Sequence, residues 1–245
     1  MRIAPLAIWL VSAAAAGADG EVLYRVPWPE GSSFMFIQAP GGRITSHFTK
    51  STLYAVDVAM PEGMSVLAAR SGSVESLQAF HGAGADEGPL TYEGNFVRVR
   101  HSDGTLALYA HLRHQGVVVT AGERVEAGQL LGYSGATGDV TEPHLHFAVI
   151  REERNSAGWV EEVSTPFRFY VGAPPTGFAP RSAMIVVANY SRPADPPRAP
   201  SEYSGPVWHR PALGAGDEER AWVLLLVWLA AGIAALACYW RFARD

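Results

Sequence analysis

The sequence has one cysteine and one lysine in 245 residues, and each scarcity excludes a kind of chemistry. Cys238 alone can form neither an intramolecular disulfide nor a multi-cysteine metal site, so a metal site must use histidines and carboxylates. Lys50 is the single lysine, which excludes any mechanism that needs a lysine later in the chain. Basic residues are also fewer than acidic ones, 19 against 24. A broad nucleic-acid surface needs excess positive charge, so we expect no nucleic-acid partner.

Two apolar segments at the ends of the chain predict export and membrane anchoring. In residues 1–18, Arg2 precedes an apolar run that ends in small residues, which is the order of a secretory signal peptide. An N-terminal anchor that is never cleaved is the alternative. Residues 221–240 carry no charge, and at about 1.5 Å per residue they span the roughly 30 Å hydrocarbon core of a bilayer. Arg241 and Arg244 follow, which predicts a cytoplasmic tail at 241–245. We therefore expect a single-pass protein of the cytoplasmic membrane whose main domain is exported.

The segment between these ends predicts an all-β body. Short apolar runs are separated by Gly and Pro, and no window keeps a helical period. Residues 96–100 and 106–112 flank Asp103-Gly104 and predict a hairpin, because this dipeptide favours the turn's positive φ angles. Further strands are predicted at 117–120, 129–133 and 144–150, after lead-in strands within 19–42. We expect residues 157–190 to be an appended, partly strand-forming region, and the proline-rich residues 191–220 to be a tether.

Histidines and one aspartate are the candidate site residues of this body. His144 and His146 alternate with Leu145 and Phe147, so on a strand both imidazoles point to one face. The pair alone leaves metal binding and a solvated face equally open. Asp57 lies in an otherwise nearly uncharged strand, which favours a partnered carboxylate over a solvated one. His111 ends an alternating strand, where a histidine is more often structural than catalytic.

Taken together, these motifs resemble peptidase family M23, the LytM or lysostaphin type of zinc metallopeptidase that cuts peptidoglycan cross-bridges. The resemblance covers residues 43–151, within a predicted domain at 43–156. It rests on motifs in the family's order: Tyr54-Ala55-Val56-Asp57, Met60-Pro61-Glu62-Gly63, Val66 to Gly72, Gly94-Asn95-Phe96-Val97, Tyr109-Ala110-His111-Leu112, Gly122 to Gly135, and Pro143-His144-Leu145-His146-Phe147. It implies a compact antiparallel β-domain with Zn²⁺ in an open groove. Carried over by position, Asp57 and His146 are zinc ligands, and His111 and His144 are the paired catalytic histidines.

One ligand position departs from the family. The usual first ligand is a histidine four residues before the aspartate, and that position is Leu53, which cannot bind zinc. His47 is the nearest upstream candidate, although nine residues separate it from Asp57. A strand-turn-strand through residues 49–52 would bring it back beside Asp57, so we expect His47 to be the third ligand. The alternative is a surface histidine on a loop.

Three other functions compete with a zinc peptidase. A zinc-free M23-like module that binds and activates a cell-wall amidase is favoured by Leu53 and opposed by the retention of the other site residues. A lipoyl or biotinyl carrier resembles residues 119–135 but needs a lysine there. A serine hydrolase is disfavoured because Gly132-Tyr133-Ser134-Gly135 lacks the Gly-x-Ser-x-Gly spacing. We expect a zinc metalloendopeptidase that remodels bacterial peptidoglycan, with an amidase or a division protein as a candidate partner.

Overall fold

The computed structural model describes residues 22–42, 45–82, 94–194 and 197–199. All of them belong to the first of the two units, residues 1–208 and 209–245, into which the chain divides. The predicted signal peptide, the transmembrane segment at 221–240 and the tail at 241–245 lie outside the described residues, as does most of the tether. Within the described ranges, no helix has the length and apolar character needed to cross a membrane.

The described residues form strands joined by turns and irregular segments. In chain order the strands are β1 (Leu23–Arg25), β2 (Ser33–Gln38), β3 (Val56–Val58), β4 (Ser65–Leu67), β5 (Gly72–Gln78), β6 (Asn95–Arg100), β7 (Leu106–Val117), β8 (Arg124–Val125), β9 (Leu130–Ser134), β10 (Leu145–Arg154), β11 (Val160–Ser164), β12 (Arg168–Val171), β13 (Thr176–Phe178) and β14 (Ile185–Val187). This confirms the all-β prediction for the body of the protein.

Eleven of these strands make one antiparallel sheet. Its order is β14-β2-β3-β10-β7-β6-β5-β8, with β11 beside β10, and with β9 paired to both β4 and β7. The other three strands form a small sheet in the order β1-β12-β13, in which β1 and β12 run parallel. The order of the large sheet matters for function, because it places β3, β10 and β7 side by side.

Side chains alternate along β10 between two apolar clusters on opposite faces of the large sheet. Leu145, Phe147 and Val149 are fully or almost fully buried in the main core, where Phe147 packs edge-on against Tyr109. Ala148 lies on the opposite face in a smaller buried cluster with Ala55, Leu106, Leu108, Ala110 and Ile150. His146 lies two residues before Ala148 on the same strand, so its side chain leaves the sheet on that second face.

The predicted hairpin is confirmed, but one predicted strand is wrong. β6 and β7 pair in antiparallel register from Val97 with Tyr109 to Arg100 with Leu106. No separate strand occupies 117–120, because β7 itself continues to Val117 and pairs there with Gly132 of β9. His111 and Gln115 have positive φ angles of 63° and 53°, and between them β7 changes its pairing from β6 and β10 to β9.

The segments that flank the motif-bearing region join the same structure. β2 lies beside β3, and β14 lies beside β2. β11, which follows a tight turn after β10, extends the large sheet next to β10, while β12 and β13 build the small sheet. Residues 157–190 therefore contribute strands to both sheets.

Candidate metal centre

Two of the candidate ligands face each other across neighbouring strands. Asp57 of β3 and His146 of β10 are Cα partners in the antiparallel register, so their side chains leave the sheet on the same face. His146 Nδ1 lies 2.9 Å from Asp57 Oδ1. Both side chains are buried, Asp57 with 2% and His146 with 8% of its surface exposed. The register of the sheet thus fixes the relative position of the Asp57 and His146 side chains.

The third candidate, His47, reaches the pair from an irregular segment. His47 Nε2 lies 3.2 Å from Asp57 Oδ2, and the residue is 7% exposed. The chain then reverses in a turn, where the N–H groups of Thr52 and Leu53 both donate to the carbonyl of Thr49. The prediction of a strand on each side of this turn is wrong, since residues 45–48 form no strand and only β3 follows. A turn of this length reverses the chain without a paired strand.

Leu53 does not take part in the centre. It stands at the position of the family's usual first ligand, yet half of its surface is exposed. His47 therefore supplies the imidazole that the sequence lacks at position 53, and the prediction that a displaced histidine could return to Asp57 agrees with the structure.

The three residues fit a zinc ion. Among the described residues, His47, Asp57 and His146 form a group in which one ligand atom from each lies within 4.8 Å of the others. Tetrahedral zinc with bonds of about 2.0–2.1 Å places its ligand atoms about 3.3 Å apart, close to the observed nitrogen–oxygen separations. The imidazole rings of His47 and His146 are nearly perpendicular, with centroids 5.0 Å apart, so the two rings do not clash. Two imidazoles and one carboxylate are also the donor types of catalytic zinc sites.

The electrostatics of Asp57 suit a ligand. Burial raises the pKa of the Asp57 carboxyl, but hydrogen bonds from His146 and His47 outweigh burial and hold the pKa well below its ordinary value. The group is therefore a carboxylate at neutral pH. A buried carboxylate needs a compensating partner, and this one has two imidazoles within hydrogen-bond distance.

His111 and His144 form a second pair beside the three ligands. Their ring centroids are 4.7 Å apart, and the His111 ring lies 5.8 Å from that of His146. His144 Nε2 lies 3.8 Å from Asp57 Oδ1. The structure thus brings all five predicted site residues together on one face of the sheet.

Backbone carbonyls orient both rings of this pair. Nδ1 of His111 lies 2.9 Å from the carbonyl oxygen of Thr137, and Nδ1 of His144 lies 2.8 Å from that of Glu142. A carbonyl oxygen only accepts, so in each neutral ring Nδ1 carries the proton and donates it. Each Nε2 is then left with its lone pair, and can accept a proton or a hydrogen bond.

His111 stays uncharged in this environment. Burial, followed by the nearby His146 and His144, lowers the pKa of His111 to about 3. Its backbone also adopts the left-handed region with φ of 63°, which is uncommon for a residue with a side chain and often marks a functional site.

The sequence did not reveal the polar groups that hold His111. Thr137 Oγ1 donates to the carbonyl of Leu112 at 2.7 Å and accepts the N–H of Asn95 at 2.8 Å. The Asn95 side chain also donates to the carbonyl of Leu112 at 3.3 Å. Asn95 stands in the Gly94-Asn95 motif, which could have singled it out, but nothing in the local sequence marks Thr137.

The other described histidines make contacts of their own. His101 Nδ1 lies 2.9 Å from the carbonyl oxygen of Ser71, and His114 Nδ1 lies 3.0 Å from that of His81. None of these three belongs to the group of ligand atoms around Asp57. Residues 83–93, between β5 and β6, lie outside the described residues.

Comparison with known proteins shows which family the segment around this centre resembles. The sequence pattern of peptidase family M23 matches residues 51–157. Peptidoglycan DD-endopeptidase ShyC of Vibrio cholerae is 34% identical over 115 residues, which are 43% of this chain and 24% of ShyC. Cell division protein DipM of Caulobacter vibrioides is 32% identical over 145 residues, 56% of this chain and 20% of DipM. The chain thus spans a quarter or less of the length of these relatives.

One solved structure aligns with a similar share of this chain. The catalytic domain of lysostaphin from Staphylococcus simulans is 26% identical, and the alignment covers 54% of this chain and 87% of that domain with a TM-score of 0.36. His47, β2 and β11 to β14 lie outside the segment that matches the family pattern.

Proposed function

We propose, from the premise that residues 51–157 are a peptidase M23 domain, that this chain is a zinc metalloendopeptidase that hydrolyses peptide cross-links of bacterial peptidoglycan. The observation that carries the proposal is the convergence of His47, Asp57 and His146 beside the His111–His144 pair. Relatives such as ShyC, which are named peptidoglycan DD-endopeptidases, supply the substrate class. A protein that only binds has no physical need for two further histidines next to three metal ligands.

His47, Asp57 and His146 would hold the metal. Zinc in such a site polarises a carbonyl and lowers the pKa of water. His111 remains neutral in its buried position, and its Nε2 can accept a hydrogen bond that orients a water molecule for attack. The side chain of His144 is 15% exposed and less enclosed, so its Nε2 is better placed to take the proton and pass it to the leaving amine.

The test of this proposal is zinc content together with cleavage. The purified full chain should contain about one zinc by elemental analysis and should cleave cross-linked muropeptides. A chelator should abolish cleavage, and added Zn²⁺ should restore it. No zinc after incubation with excess metal, and no cleavage, would instead favour the non-catalytic module.

That module, which would bind and activate a cell-wall amidase, is the second candidate. Leu53 favours it, because a family ligand is missing at that position. His47 weakens this argument, since its imidazole lies within reach of the same carboxylate. The similarity to DipM, which is named a cell division protein, supports a partner in the division machinery under either function.

We also infer that the peptidase domain works on the outer face of the cytoplasmic membrane. The support is the sequence alone: an N-terminal segment of signal-peptide type and an uncharged run at 221–240 followed by Arg241 and Arg244. The enzyme would then cut peptidoglycan close to the membrane, within the reach of its tether.

A further inference from the structure

The loop that brings His47 to the metal centre, residues 48–54, is not anchored by its large apolar side chains. Phe48 is 79% exposed and Leu53 is 50% exposed. Burial of apolar surface is the usual means of fixing a loop, and here these two side chains contribute little of it. The position of the loop, and therefore of His47, depends mainly on hydrogen bonds.

The partly buried side-chain hydrogen bonds of this loop converge on Ser164 at the end of β11. Ser164 is 2% exposed, and its Oγ donates to the carbonyl of Lys50 at 2.9 Å while accepting the N–H of Tyr54 at 3.0 Å. The backbone N–H of Ser164 donates to the same Lys50 carbonyl at 2.8 Å. One hydroxyl thus ties the two ends of the turn to the sheet.

The other contacts of the loop are weaker restraints. Within the loop, Thr49 Oγ1 contacts the hydroxyls of Ser51 and Thr52, and just before His47 the side chain of Gln38 accepts the N–H of Ser46 at 2.6 Å, but all of these contacts are exposed. Water replaces an exposed hydrogen bond at little cost, whereas a buried group left without its partner loses the full desolvation penalty. Ser164 therefore makes the largest contribution to the position of the loop.

We propose that Ser164 is a positioning residue for the zinc ligand His47. It lies outside the family-matched segment, as His47 does, and β11 places it next to Ile150 of β10, four residues along the same strand from His146. In this chain, a strand added to the family domain secures a ligand that has moved out of its usual position. The proposal rests on the zinc site of the proposed function and not on peptidase activity.

The first measurement is zinc affinity of the full chain by competition with a chromophoric chelator. Ser164→Ala should weaken zinc binding about tenfold to a hundredfold, the usual effect of losing an outer contact that orients a ligand. Ser164→Thr keeps the hydroxyl and should restore most of the affinity. Lys50→Gln is the matched control, because it removes only the ion pair of an exposed ammonium group with Glu161 and keeps the Lys50 carbonyl. It should bind zinc as the wild type does.

The second measurement separates positioning from a general loss of structure. The measurement is the NMR chemical shift of the imidazole nitrogens in Ser164→Ala at saturating zinc. The shifts of His47 should move toward the values of a free imidazole, while those of His146 should keep the values of a metal-bound ring. Wild-type affinity in Ser164→Ala, or release of zinc from both rings together, would overturn the proposal. If Ser164→Ala does not fold, Ser164→Cys serves in its place, because its thiol is nearly as small and bonds weakly. A wild-type chain that binds no zinc would overturn the proposed function as well. Zinc binding that is the same with and without the Ser164 hydroxyl would overturn only the role of Ser164.

Discussion

His146 and Asp57 are direct cross-strand partners, and His146 Nδ1 lies 2.9 Å from Asp57 Oδ1. Their geometry is set by the ladder between β10 and β3, and all three residues of β3 are buried. His47 meets the same carboxylate from a loop, at 3.2 Å. Two ligands of the centre are therefore fixed by the sheet, and the third depends on the contacts that hold its loop.

The histidines of the site should separate into two classes on substitution. His146→Ala removes a ligand, so we expect loss of bound zinc and of muropeptide cleavage. His144→Ala should keep most of the zinc and lower turnover by about 100-fold or more, the contribution expected of a general acid or base. Elemental analysis and cleavage rates on the same preparations measure both. Full activity in either variant would show that the roles are wrongly assigned.

Position 53 offers a matched control for the displaced ligand. His47→Ala should lose most of the zinc, whereas Leu53→Ala should retain it, because the Leu53 side chain is half exposed and is not one of the grouped ligands. Zinc content after dialysis against metal-free buffer compares the two variants. Equal zinc in His47→Ala and wild type would remove His47 from the metal centre.

Gly94 should affect turnover through His111. Its φ is 58°, and a Cβ there would lie 2.3 Å from the carbonyl carbon of Thr137, whose oxygen accepts the hydrogen bond of His111 Nδ1. We expect Gly94→Ala to lower the free energy of unfolding by roughly 1–3 kcal/mol and to reduce turnover while zinc stays bound. Denaturant unfolding and cleavage rates measure the two effects.

The control for this variant is Gly158→Ala. Gly158 has φ of 84° with nothing within 4 Å of its added Cβ, so this change introduces backbone strain without a clash. It should lower stability and leave turnover unchanged. If Gly94→Ala cleaves at the wild-type rate, the Thr137 carbonyl does not control the orientation of His111.

The sequence predicts the parts of this structure that follow from alternation and turn chemistry. The His-x-His strand, the apolar face of Leu145 and Phe147, and the hairpin around Asp103-Gly104 all depend on neighbouring residues. The continuity of β7 does not depend on neighbouring residues alone. Its positive φ angles at His111 and Gln115 accompany a change of partner strand to β9, which follows later in the chain. A local pattern holds no information about that change.

The site shows the same limit. Asp57 and His146 are predictable, since each lies in a recognisable strand motif, and His47 is found by asking which residue could replace Leu53. Thr137 and Ser164 are not predictable, because they act on His111 and on the His47 loop over 26 and 110 residues of sequence, through polar groups that any surface loop contains.

His101 should make folding stability depend on pH. It is buried away from the centre, and Nε2 has no hydrogen-bond partner among the described residues. Burial lowers the pKa of His101 to about 4. Between about pH 6.5 and pH 4 the unfolded chain therefore binds a proton that the folded chain does not, and stability falls as the pH falls through this window.

The size of this effect can be isolated with His101→Asn. At pH 5 the wild type should have lost about 2 kcal/mol relative to pH 7 from this group, and the variant should lack that share of the loss. Urea unfolding of both proteins at the two pH values measures the difference. An identical loss in the two proteins would mean that His101 is protonated as readily in the folded chain as in the unfolded one.

Deletion of residues 221–245 should release the protein from the membrane with its cleavage activity unchanged. The twenty uncharged residues at 221–240 suffice to span a bilayer, and the five zinc-site and catalytic candidates all lie between residues 47 and 146. Fractionation of cells that export the truncated chain should find it in the soluble periplasmic fraction, and muropeptide cleavage should match that of the full chain. Arg241→Glu with Arg244→Glu is the control, because it keeps the apolar length and should leave the protein in the membrane fraction. Persistent membrane attachment of the truncated chain would place the anchor in residues 1–18, as an uncleaved N-terminal segment.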